Sequence, residues 1–439
     1  MKHIPIGLTV LALAGQVEAN DALDILENNE RINELELPPV GDGEETVDQT
    51  PAVFVPVAYP ERPEMNAVWD RLPVYENQNN RWVQEVSLMG GYEWGGSWGD
   101  ARVKGGSDTD LDTTRTRRAR LGARMKIFGN TEIEVVGEFA GDADYQRIER
   151  IKAKTRIDTS RLAAGSSFLE YGKFQPGFGI EQSKDSSELL TPERSLLANM
   201  LMPASTMGVR FSHESGPWSW GIGWFSADSD RYLPGIEGAG FLAANLAYEE
   251  TSRLDSGSVV RTRWHFDYLH NLDGEDSESV PRYDLAGNLS ANGGQAIVMN
   301  PAYKHMLSTG ISMESEEFAL ETEFQLANGD ESAWGLTITP SYWVMPGVVR
   351  VVGRYHYADS NGAGGLFGGM GAGSDSYYDS SPTFIGDEFH SFYAGANVHF
   401  HEDKLVLLNG LEWATMKDEA GGGYETSAWI WHTGARLSF

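Results

Sequence analysis

The chain has 439 residues, among them 50 glycines, 13 tryptophans, 18 phenylalanines, 17 tyrosines and no cysteine. Its 34 basic and 64 acidic residues leave a formal charge of −30, which excludes a general nucleic-acid binder, because phosphate recognition needs a basic footprint. The lack of cysteine excludes disulfide scaffolds, thiolate metal centres, iron–sulfur clusters and cysteine nucleophiles.

Lys2 and His3 precede an apolar run over residues 4–15, and Val17 and Ala19 are the small residues that a signal peptidase reads. Residues 1–19 are therefore expected to be a secretory leader, cleaved before Asn20. The run is too short for a membrane span, which needs about 20 apolar residues. Residues 20–81 change character. Leu23, Leu26 and Leu37 sit among acids, followed by Pro38, Pro39, Pro51, Pro56, Pro60, Pro63 and Pro73, and the stretch holds fourteen acids against four bases. It reads as a short acidic helix and an extended linker on the periplasmic side.

From Trp82 to Phe439 the apolar residues recur at every second position in segments of the length expected of transmembrane strands. Ala119, Leu121, Ala123, Met125 and Ile127 share one face, as do Trp218, Trp220, Ile222 and Trp224, and Phe392, Ala394, Ala396, Val398 and Phe400. The alternation predicts strands near 82–94, 114–128, 131–141, 146–157, 160–174, 205–213, 217–227, 240–249, 258–270, 303–313, 317–327, 333–344, 347–358, 388–400, 404–415 and 427–439. The fold expected for 82–439 is all-β, a 16-stranded antiparallel transmembrane barrel. Its connections alternate between short turns and long loops, as in outer-membrane barrels with short periplasmic turns and long external loops. The last strand ends in an apolar stripe closing on Phe439, a signal of the kind read by the outer-membrane assembly machinery.

If the apolar parity faces lipid, the other parity lines the lumen. The second predicted strand places Arg118, Arg120, Arg124 and Lys126 there, and the fourth places Arg150, Lys152, Lys154 and Arg156. Arg261, Arg263, Arg350 and Arg354 are further basic lumen candidates, with Arg210, Lys304 and Arg436. These rows predict stretches that attract anions, because close charges in a narrow pore outweigh loop charges screened beyond about 8–10 Å. Glu132, Glu134 and Glu138 can pair across strands with Lys126, Arg124 and Arg120. On the fifth strand only Glu170 faces the fourth row, which makes that row the better candidate for anion guidance.

Between the fifth and sixth strands the run Tyr171-Gly-Lys-Phe-Gln-Pro-Gly-Phe-Gly-Ile-Glu-Gln182, followed by Glu193-Arg194-Ser195-Leu196, resembles the phosphate-selective porin O and P family. The resemblance implies a homotrimeric outer-membrane porin, set in lipid and lipopolysaccharide, that passes small anions such as phosphate. It points to Lys173 and Arg194 as motif positions. By analogy with sixteen-stranded porins, the third external loop folds inward, and Arg194 is expected to set the field at the constriction. The acidic outer loops and incomplete basic rows depart from the family's dense arginine ladder, so phosphate is one candidate among small inorganic and organic anions.

No cofactor, metal site or enzyme activity is expected. Asp108, Asp110 and Asp112 lack the glycine and twelfth-position acid of a calcium loop. The glycine-rich run over 362–373 lacks a phosphate-binding lysine. His265 and Asp267 share a face without a placed nucleophile, and the ten histidines form no recognised ligand motif. The alternative reading is a structural envelope protein whose N-terminal arm contacts periplasmic material and whose pore is incidental or plugged.

Overall fold

In the computed structural model, residues 72–439 are described apart from 105–107, 141–146, 160–163, 202–204, 227–234, 237, 256, 273–302, 362–364, 370–382 and 420–422. The expected leader and most of the linker fall outside the described residues. The barrel strands are β2 (Val83–Val103), β3 (Thr109–Ile127), β4 (Thr131–Glu138), β5 (Arg147–Ile157), β6 (Ser166–Phe174), β7 (Thr206–Ser215), β8 (Trp218–Phe225) and β9 (Phe241–Arg253). They continue with β10 (Val259–Asn271), β11 (Tyr303–Glu314), β12 (Phe318–Gly329), β13 (Ser332–Met345), β14 (Val349–Ser360), β17 (Glu388–His401), β18 (Leu405–Asp418) and β19 (Tyr424–Ser438). Each pairs antiparallel with its neighbours, and β19 closes on β2 from Thr426↔Val103 to Ser438↔Gly91. All sixteen expected strands are present in an all-β closed barrel.

Period 2 explains the wall. Trp220, Ile222, Phe392, Trp429 and Trp431 stand outward and exposed, the opposite of a soluble core and the pattern of a lipid-facing band. Intervening positions such as Glu134, Glu170, Arg354 and Arg436 point inward and are buried. The short turns pass through left-handed backbone, as between β3 and β4, where Phe128 has φ 54 and Gly129, which adopts it without strain, φ 74.

Two strand pairs were not foreseen. β2 and β3 remain paired out to Ala101↔Thr109, so most of the expected loop 95–113 is a protruding ribbon. A small hairpin, β15 (Leu366–Gly369) with β16 (Thr383–Gly386), forms within the expected loop 359–387. A further short strand, β1 (Pro73–Glu76), pairs antiparallel with β2. It lies just below the place where the Phe439 backbone exchanges both hydrogen bonds with Gly90, so it extends the wall beneath the end of β19.

A loop pinned across the lumen and its basic walls

After Phe174 the chain turns into the barrel interior rather than outward. Gly179 makes that turn. At φ 79 a side chain is strained, and a Cβ there would lie 2.1 Å from Glu323 Oε1. Its N–H instead donates to Asp267 Oδ2 on β10 at 2.8 Å. A short helix α1 (Ile180–Ser183) follows, then a 3-10 turn (Ser186–Glu188) capped by Asp185, and helix α2 (Leu196–Leu201).

The loop is fastened to walls all around the barrel. Arg436 of β19 donates to the carbonyls of Leu189, Thr191 and Pro192 at 2.6, 3.0 and 3.2 Å. Arg354 of β14 donates to Thr191 Oγ1 at 2.9 Å and to the Glu193 carbonyl at 2.5 Å. Asn397 of β17 donates to the Leu190 carbonyl at 2.8 Å. Arg117 of β3 reaches the Pro192 carbonyl and Glu193 Oε2, both at 2.6 Å. Asp185 meets Arg150 of β5 at 3.4 Å, and Lys184 pairs with Glu321 of β12. Backbone carbonyls that would be orphaned inside the barrel thus find charged donors, the strong class of hydrogen bond.

The anchoring knot is close to electroneutral. Glu93 takes Arg117, Arg118 and Arg436 at 2.8, 2.6 and 3.0 Å. Glu412 takes Arg354 at 3.4 Å and His432 at 3.0 Å, while Glu181 lies 3.7 Å from Arg354. Four arginines (117, 118, 354 and 436) therefore face Glu93, Glu181, Glu193 and Glu412. Arg117 was missed because it has the wrong parity. The register jumps from Glu93↔Arg118 to Trp94↔Thr116, and this bulge turns two successive arginines toward Glu93.

The basic rows lie on the inner wall as the alternation predicts, with the expected Arg120–Glu138 and Arg124–Glu134 pairs formed across β3 and β4 and further partners besides. Arg120 binds Glu138 and Glu149 at 2.9 and 3.0 Å, and Lys126 binds Glu85 at 2.6 Å. Glu170 is, as expected, the acid that the fifth predicted strand offers the fourth row, but that reading left out the other neighbour, β4. Acids on β4 reach both neighbours, so Glu134 is shared by Arg124 at 2.9 Å, Arg150 at 2.9 Å and Lys152 at 3.7 Å. Lys152 also lies 3.5 Å from Glu170, which pairs with Arg210 as well. Lys154 sits 4.4 Å over the Phe168 ring, and Arg156 donates to Ser166 Oγ at 3.1 Å. Arg261 and Arg263 are exposed near Glu249, at 3.7 and 3.6 Å, and Arg350 donates to Ser341 Oγ at 3.1 Å.

The two motif positions are both buried. Lys173 is 3% exposed on β6. Arg194 turns back into its own loop, donating to the carbonyls of Glu181 at 2.9 Å and Lys184 at 3.0 Å, while Glu181 accepts from the N–H and Oγ of Ser195, both at 2.7 Å. The Glu-Arg-Ser segment thus builds the loop's internal frame.

No curated protein matches the chain. Among solved structures it is similar to the outer-membrane channel DcaP of Acinetobacter baumannii, at 11% identity over 83% of this chain and 99% of that one, with a TM-score of 0.48. It is also similar to an anion-selective porin from Comamonas acidovorans (13% identity, 81% and 99% covered, TM-score 0.47) and to Salmonella typhi OmpF in complex with daunomycin (13%, 83% and 100%, TM-score 0.47). Residues 90–239, which hold β3 to β8 and the whole inward loop, match the family model described as phosphate-selective porin O and P, so the likeness carried by the motif around Lys173 and Arg194 is to that family.

Proposed function

We propose that the protein is an outer-membrane porin through which small hydrophilic anions, inorganic phosphate among them, diffuse passively. The observation that carries this is the wall of β3 and β5. There Arg124, Lys126, Arg150 and Lys152 share the carboxylates of Glu85, Glu132, Glu134, Glu170 and Asp185, while Lys154 meets the Phe168 ring and Arg156 the Ser166 hydroxyl, so this side of the lumen presents a continuous row of partly exposed bases. Arg124 and Lys126 stay 42% and 48% exposed, available to a passing solute. An arginine fork suits phosphate or carboxylate, which accept two hydrogen bonds at once. Arg118, Arg354 and Arg194 hold the constriction loop or its frame and Arg120 pairs on the wall with Glu138 and Glu149, while Arg261, Arg263 and Arg350 continue the basic lining and Lys173 is buried at the loop entry. Homotrimeric assembly in a lipid and lipopolysaccharide surround follows the family likeness, while export by the 1–19 leader and recognition of Phe439 by the assembly machinery rest on the sequence pattern.

The test is reversal potential across a KCl gradient in a planar bilayer, followed by addition of phosphate. Changing Arg124, Lys126, Lys152 and Lys154 together to Glu is expected to swing selectivity toward cations; unchanged selectivity would remove the wall from the conduction path.

One observation favours a second reading, a structural envelope protein with a closed pore. Leu197, Met200 and Leu201 of α2 pack with Leu366 of the small hairpin and with inward apolar residues at the outer ends of the strands, including Phe174, Phe225, Phe241, Leu269 and Ile430. This apolar cluster occupies part of the external mouth. Absence of any conductance from correctly folded protein would favour it.

A further inference from the structure

Outside the lumen, one cluster of ligating side chains is used by nothing described above. At the external end of the β10–β11 pair, His270 and His305 stand directly opposite each other. They belong to the outward face, since His270 continues the parity of the exposed Trp264 and Phe266. Their Nδ1 atoms are 3.3 Å apart, with ring centroids 4.9 Å apart and 24° between planes. Tyr268, two residues before His270 on the same face, brings its hydroxyl within 2.7 Å of the same His305 Nδ1. A ring nitrogen offers one in-plane position, either a lone pair or an N–H. Two polar atoms therefore compete for the single position on His305.

We propose that His270, His305 and Tyr268 form a site for a divalent transition-metal ion of the zinc, copper or nickel class, on the outer surface of the barrel. Two imidazole nitrogens bound about 2.05 Å from a tetrahedral ion stand about 3.3 Å apart, which is the separation found. A shared cation replaces the contested hydrogen and gives all three donor atoms a common partner. Imidazole nitrogen selects this metal class over calcium and magnesium, which take oxygen ligands. The position is also specially built. The β11–β12 register shifts between Tyr303 and His305, a bulge of the kind that re-aims a side chain. Among the described residues no group of three or more His, Cys, Asp and Glu side chains is placed to hold a metal, so the site is a two-histidine one, completed by the tyrosine oxygen and water. No sequence motif marks it, because the two histidines lie 35 residues apart on separate strands.

The experiment uses the untagged full chain, folded in detergent and checked by heat-modifiable mobility. ZnCl2 is titrated by calorimetry, and Cu2+ is followed by the nitrogen couplings in its paramagnetic resonance spectrum. The result expected is one ion per chain, two coupled nitrogens, and a loss of affinity of at least about tenfold in His270→Ala and in His305→Ala, each leaving one nitrogen. Tyr268→Phe should weaken binding less while keeping both nitrogens. Wild-type protein that takes up no saturable Zn2+, or His270→Ala protein that binds as tightly as wild type, overturns the proposal. Both histidines project from the outer face, so their truncation leaves the lumen and its conductance unchanged, which separates this result from the porin assay.

Discussion

Replacing Arg436 by Met keeps the volume of the side chain but removes the charge that holds the loop from β19. The guanidinium donates to three loop carbonyls and to Glu93. Hydrogen bonds to a charged group are worth about 1.5–3 kcal/mol each, and removing one partner of a buried pair costs about 3–5 kcal/mol in total. The lower end applies here, because Glu93 retains Arg117 and Arg118 and the loop retains Arg354 and Asn397. About 3 kcal/mol against the pinned state multiplies the displaced population by roughly 10². In single-channel recordings Arg436→Met should therefore show frequent excursions to a different conductance level, rare in the wild type. Arg436→Lys, which keeps the charge but loses the planar fork, should fall between. Superimposable conductance histograms for wild type and Arg436→Met would refute the idea that this network holds the constriction.

The other predictions concern charge, backbone and pH. Glu134→Gln removes the carboxylate shared by Arg124, Arg150 and Lys152. It should move the reversal potential further toward the chloride value; a shift toward potassium would contradict the proposed wall. Gly179→Ala places a Cβ 2.1 Å from Glu323 Oε1 at a φ of 79. The left-handed backbone alone costs about 1–2 kcal/mol, so the loop should become more susceptible to proteolysis, and wild-type resistance would count against the tight turn. Burial pushes the Asp185 carboxyl up, but Arg120, Arg150, the Ser187 N–H and Arg118 outweigh it and hold the pKa below the ordinary 3.8. Its contribution to loop anchoring is thus complete above that value and is lost as pH falls below it. Open-channel noise should rise in that acid range and not between neutral pH and 5, and less so in Asp185→Asn, which lacks the titrating group.

Barrel strands were legible because lipid outside and water inside impose opposite demands on alternate residues. Where that contrast fades, so does the reading. Gly95, Gly96, Ser97 and Gly99 carry little polarity signal, so the outer half of β2 looked like loop, although Ser97 pairs with Thr113 and Gly99 with Leu111. The bulge at Arg117 was invisible because one extra residue inverts parity without a compositional trace. Glu134 was read against one neighbour when a strand has two. The loop's anchors were hidden for another reason: Arg354 and Arg436 are far from the loop in sequence, and their acceptors are backbone carbonyls, which every residue has.

The formal charge of −30 and a basic lumen are compatible because the two sets of charges occupy different dielectric settings. Fourteen of the acids fall in residues 20–81, before the first barrel strand in the sequence, and salt screens charges from one another beyond about 8–10 Å. Inside, the structure separates two uses of arginine. At the knot, Arg117, Arg118, Arg354 and Arg436 are nearly buried and matched by Glu93, Glu181, Glu193 and Glu412, so they contribute position and little net field. A buried pair of this kind is weak evidence for stability, but it penalises any loop register that leaves a charge alone. Along β3 and β5 the bases keep partial exposure, Arg124 and Lys126 most of all, so on the proposed reading the field that meets a solute comes from this wall. Substitutions at the knot should therefore change conductance and noise first, while those on the wall should change selectivity at nearly constant conductance. Selectivity that followed the knot instead would show that the loop arginines, and not the strand rows, face the permeating ion.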